Sequence, residues 1–115
     1  MTPGTEYSIS LSKHDYKVLE RRVRQYHSLV EQYQNRPAEW SDDYYQSVES
    51  VVKGIAEAYN RCSVTEQNII KLSWWQDEKQ SDDTIAKILN RSELTLRVFR
   101  EKILRMVAVH SHYIW

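Results

Sequence analysis

The sequence is poor in the residues that break or staple a backbone: one cysteine, two glycines and two prolines in 115 residues. The lone Cys62 cannot close a disulfide within the chain and suits a reducing compartment. Pro3, Gly4 and Pro37 are three of the four breakers, so beyond Pro37 only Gly54 remains, inside a helical pattern. A chain so short of turn formers is predicted to be all-α. No apolar run approaches the length of a membrane span, and the first residues lack a signal-peptide pattern, so no membrane partner is expected. With 16 basic and 16 acidic residues the formal net charge is zero, which gives no general affinity for polyanions.

Catalytic and cofactor chemistry is equally sparse. There is no Gly-rich phosphate loop. Cys62 has no histidine near it in sequence, and its place in a capping segment suits a small packed residue. His14 and His27 are spaced to point to different faces of a helix. His110 and His112 have no cysteine or carboxylate cluster beside them with which to hold a metal. Glu39, Asp42 and Asp43 read as a solvated helix start. The expectation is a non-enzyme with no cofactor and no metal.

What is present is charge unevenly spread and apolar residues at helical spacing. Residues 37–60 hold one basic and five acidic groups, whereas residues 84–115 hold six basic and two acidic. Residues 1–11 read as a flexible or extended lead-in. Ser12 then caps a long helix predicted to run to about Asn35. Its seam of Tyr16, Leu19, Val23, Tyr26, Val30 and Tyr33 alternates by three and four, the heptad spacing of a coiled coil. That seam fits either a self-association arm or packing against a neighbour in the same chain. The residue before Pro37 leaves the helical region. A second helix starts at Ser41 or Asp42 and carries Tyr44, Val48, Val51 and Ile55 on one face, so it can return along the first as a hairpin. Gly54 within it either permits a close helix crossing or is neutral. Residues 1–60 thus form a lead-in and two-helix hairpin.

Residues 61–115 form a second unit. Ser63 and Glu66 make a capping box for a helix over about Val64 to Gln76. The adjacent Trp74 and Trp75 cannot both face one core, so one is expected in the core and the other at an interface or against the N-terminal hairpin. From Ser81 to Val107 a short apolar helix (Ile85, Ala86, Leu89), a polar break (Asn90, Arg91, Ser92) and a longer basic helix follow. This spacing fits a helix-turn-helix, and also an ordinary helical corner. Ala86 is the small residue at the crossing. Asn90 takes the turn position that requires a left-handed backbone. Leu96 and Phe99 face Ile85 and Leu89. Ser81 and Ser92 are the caps. Arg97, Glu101 and Arg105 are expected on the outer face, with Arg100 and Lys102 at the flanks. The apolar tail ending Tyr113, Ile114, Trp115 is expected to pack back on its own domain or on a partner.

Residues 63–107 resemble region 4 of bacterial sigma factors. The shared features are Thr65-Glu66-Gln67 opening a helix, Ile70 and Leu72 within it, then Ser81, Ile85-Ala86, Leu89-Asn90-Arg91-Ser92, Thr95-Leu96-Arg97 and Leu104. Asn90 stands where that pattern has Gly, and Arg91 where it has an apolar residue. With the upstream helices and the short length, the chain is similar to phage and prophage late-gene regulators of the RinA and ArpU type. The resemblance implies a sequence-specific DNA-binding activator in the bacterial cytoplasm, with double-stranded DNA and host RNA polymerase as partners. Arg91, Ser92, Glu93, Thr95, Arg97, Arg100, Lys102 and Arg105 are the candidate DNA contacts. Tyr16, Leu19, Val23, Tyr26, Val30, Tyr33 and Trp115 are the candidate self-association residues of a homodimer or larger homo-oligomer. A helical adaptor or inhibitor of a host factor, and a small terminase-like subunit, are the alternative readings.

Overall fold

Five serines set the register of the helices. In the computed structural model, which describes residues 9–113, the protein is all-helical, with six helices and no strand among those residues. They are α1 (Lys13–Arg24), α2 (Tyr26–Gln34), α3 (Asp42–Arg61), α4 (Val64–Trp74), α5 (Asp82–Leu89) and α6 (Glu93–His110). Ser12, Ser41, Ser63, Ser81 and Ser92 are the N-caps of α1, α3, α4, α5 and α6. Each hydroxyl accepts from the backbone N–H three residues on, which satisfies one donor that the helix start leaves unpaired. At Ser12 and Ser63 the third residue, Asp15 and Glu66, also accepts from the cap's own N–H.

The first helix is not continuous. It breaks at Gln25, which separates α1 from α2. No proline or glycine is at hand. The cause is Trp75, whose indole Nε1 donates to the carbonyl of Val23 at 2.9 Å. A side chain that takes a carbonyl from the helical ladder is a recognised origin of a kink. The break lets the two halves take different partners. α1 packs against α4 and α6, and α2 lies along α3, with Tyr33 stacked on Tyr45 and donating to Glu49.

The heptad seam is therefore used within the chain. Leu19 and Val23 are buried in its core, Tyr26 stacks on Trp75, and the Tyr16 hydroxyl accepts from Arg105. This corrects the self-association reading at Leu19 and Val23, which have no surface to offer another copy; Tyr16, Tyr26, Val30 and Tyr33 are half-buried. Trp115 lies outside the described residues.

α6 is the hub, packing against α1, α3, α4 and α5. One hydrophobic cluster joins Leu19 and Val23 of α1, Ile55 and Ala58 of α3, Ile69 and Trp74 of α4, Ile85 of α5 and Leu96, Ile103 and Val107 of α6. The core thus runs across the boundary expected near residue 60. Where α3 crosses the end of α6, a Cβ on Gly54 would stand 2.3 Å from the Cα of Ser111. Only glycine allows that approach. Ile9 and Leu11 pack partly against the core, so the end of the expected lead-in is anchored. Tyr113 also packs back on α1: its hydroxyl donates to Asp15, and Arg22 lies over its ring.

Candidate nucleic-acid interface

α5 and α6 are joined by a tight turn built on Asn90, whose φ of 53° and ψ of 47° are left-handed. Its N–H donates to Lys87 O and the N–H of Arg91 to Ala86 O. This pair of bonds is a Schellman motif, the ending that satisfies the last carbonyls of a helix. The backbone at this point is the one expected from the sequence. Ala86 is buried at 4% exposure beside the turn, and Ile85 and Leu96 close the core on either side. The motif recurs at the end of α6, where His112 has a φ of 59° and Tyr113 N–H reaches Ala108 O.

Two turns of α6 then emerge into solvent. Arg91, Ser92, Glu93 and Arg97 are exposed and Thr95 is half-buried. Ser92 and Thr95 are occupied locally, since the Ser92 hydroxyl donates to Thr95 Oγ1 while accepting from its N–H. Leu94, at 67% exposure, and Val98, at 57%, lie one turn apart on the outer face. Neither was singled out from the sequence.

Arg100 and Lys102, expected at the flanks, and Arg105, expected on the outer face, each have a partner within the fold. Arg100, with a side chain only 18% exposed, donates from Nε to Ser73 Oγ at 2.9 Å and from Nη1 to Asp82 at 2.7 Å. It clamps α6 to α4 and to the start of α5. Lys102 Nζ lies 2.8 Å from the buried carboxylate of Glu66. Arg105 donates to Tyr16 Oη at 3.2 Å and so faces α1. Lys102 keeps 46% of its side chain exposed, but the expectation that Arg100 and Arg105 point to a ligand is corrected for a simple reason. The periodicity assigned α6 one buried face, whereas α6 has four helical neighbours and needs polar fastenings at the edges of each contact.

Lys102 also explains the charge state of Glu66. Burial acts to raise its pKa, but the Lys102 ammonium and the Ser63 cap outweigh burial and hold the carboxyl below its ordinary value. Cys62 next to this pair responds oppositely. Burial first, and the Glu66 carboxylate second, push its thiol up to about 12. It therefore stays protonated at neutral pH, and a thiol is a far weaker nucleophile than a thiolate.

Beside Arg97, α1 and α6 bound an open groove of about 280 Å³ lined by Lys13, Tyr16, Lys17 and Glu20 of α1 and Arg97, Arg100, Glu101 and Leu104 of α6, with Asp82 at its end. Lys13 and Lys17 were not selected from the sequence, although their four-residue spacing off the Tyr16–Leu19 seam places them on one face. Among the described residues there is no group of three or more His, Cys, Asp or Glu placed to hold a metal. No helix there is long and apolar enough to cross a membrane. No family model, no curated protein and no solved structure matches the chain.

Proposed function

We propose that the chain is a sequence-specific double-stranded-DNA-binding protein in which α4, α5 and α6 form a helix-turn-helix unit of the sigma-region-4 kind and α6 is the recognition helix. The observation that carries this reading is the α5–α6 turn itself. A left-handed Asn90 sits next to a buried Ala86 and hands over to a Ser92-capped helix whose first two turns carry Arg97 into solvent. Arg97 is suited to a bidentate contact with guanine, and Leu94 and Val98 to apolar contact with thymine methyls. Arg91 and Glu93 flank them at the start of the helix.

A single module seldom gives enough specificity alone, so two copies on adjacent half-sites are expected. Activation of phage late promoters through host RNA polymerase follows from the resemblance to RinA- and ArpU-type regulators, which rests on the residues quoted for it. Selection of bound duplexes from random DNA tests the reading. Enrichment of a short consensus supports it, and no enrichment contradicts it.

A second reading has one observation in its favour. Leu94 and Val98 are exposed on α6, and Ile88 on α5 is exposed at 56%, a composition that also suits a protein partner. Trp74 and Trp75 do not provide such a surface, because Trp74 is buried and Trp75 is packed among Tyr26, His27 and Tyr59.

A further inference from the structure

The recognition helix offers few cations to DNA: Arg100 and Arg105 are turned into the fold, and Lys102, though exposed, pairs with Glu66. The adjacent helix has them. α1 carries Lys13, Lys17, Arg21, Arg22 and Arg24 against only Asp15 and Glu20. Both of those carboxylates are engaged. Asp15 accepts from the Tyr113 hydroxyl and from Ser12 N–H, and Glu20 accepts from the Trp74 indole at 3.1 Å. Lys13 and Lys17 are exposed and line the groove whose opposite wall carries Arg97.

We propose that α1 is the phosphate-binding arm of this interface, with Lys13 and Lys17 holding the backbone of the duplex whose bases Arg97 reads. The proposal rests on the DNA-binding reading and extends it to a helix outside the helix-turn-helix unit. Dimensions support it. A helix is about 10–12 Å across and fills a major groove about 12 Å wide, so each side of α6 runs beside a sugar-phosphate strand. A second helix packed at about 8–10 Å from the first lies level with one of those strands. α1 holds that place rigidly. Tyr16 is bonded to Arg105 of α6, and the indoles of Trp74 and Trp75 are bonded to Glu20 and Val23. The lysines therefore stand at a fixed register to Arg97. Phosphate contacts of this kind position a protein without carrying sequence information.

The experiment compares the parent with Lys13→Gln/Lys17→Gln on a selected duplex and on a scrambled one across a salt series. Losing two phosphate contacts makes the slope of log affinity against log salt shallower by about two. The parent's advantage over the variant then shrinks by about tenfold between about 50 mM and about 200 mM salt. The ratio of specific to scrambled affinity is unchanged, because only the backbone is involved. Lys13→Arg/Lys17→Arg keeps the charge and keeps the parental slope, which separates a charge effect from a folding defect. A parent that binds DNA with a slope the double variant shares overturns the α1 assignment alone. A double variant that loses discrimination also overturns it, since the lysines would then be reading bases. A parent that binds no duplex overturns the DNA-binding reading and this proposal together.

Discussion

The indole nitrogen of Trp75 donates to the main-chain oxygen of Val23, 52 positions earlier in the chain. This one bond ends α1, frees α2 to follow α3 and holds the basic face of α1 beside α6. Around it the Trp75 ring stacks on Tyr26 at 5.5 Å and meets the edge of His27 at 4.7 Å. Trp75→Phe keeps a ring in that site but leaves the carbonyl without its partner. The expected cost is about 1–3 kcal/mol, and about 3–5 kcal/mol for Trp75→Ala. Urea unfolding followed by circular dichroism checks both, and a Trp75→Phe variant as stable as the parent would mean that the bond does not hold the break.

Gly54 offers a test by sign. In an isolated helix Gly54→Ala is stabilising by about 1 kcal/mol. Here the added methyl would meet the backbone of Ser111 at 2.3–2.5 Å, and neither α3 nor the end of α6 is free to retreat. The variant is expected to lose about 1–3 kcal/mol by overpacking. A rise in melting temperature would contradict the close crossing.

Asn90 is expected to tolerate glycine and to reject a β-branched residue. Asn90→Gly should be neutral or slightly stabilising. Asn90→Val should cost about 1–2 kcal/mol, the penalty of a left-handed backbone for a side chain branched at Cβ. Equal stability of the two variants would place the turn in another conformation.

Lys102 is expected to act on stability rather than on binding. Lys102→Met leaves the buried Glu66 carboxylate without its cation, at a cost of about 1–3 kcal/mol near neutral pH. The pH dependence has a definite sign. Glu66 has a folded pKa below its ordinary value, so its contribution is complete above the unfolded pKa of about 4.3 and fades as pH falls through the lower folded value. The gap between parent and variant should therefore narrow in acid. A gap that is constant with pH, or a salt slope on DNA that changes in Lys102→Met, would contradict the pairing.

Much of this was legible because it is local. The serine caps, the Ser63–Glu66 box and the left-handed Asn90 each depend on residues within a few positions, and all three stand as the sequence suggested. Gly54 was ambiguous because its answer lies in Ser111, on another helix. The break at Gln25 was hidden for the same reason: nothing near Gln25 signals it. The roles of Arg100, Lys102 and Arg105 were missed because periodicity shows which side of a helix is apolar, not how many neighbours surround it. Lys13 and Lys17 were visible as a spacing, but only the packing of α1 on α6 places them beside Arg97.

The central claim is that the exposed start of α6 reads DNA bases. Its most direct test is Arg97→Ala titrated by fluorescence anisotropy on the selected duplex and on a scrambled one at fixed salt, with circular dichroism confirming the fold. The account predicts that the specific complex weakens by about 1–3 kcal/mol more than the scrambled one, so that discrimination collapses. If Arg97→Ala binds both duplexes as the parent does, α6 is not the recognition helix and the exposed Leu94 and Val98 face a protein instead.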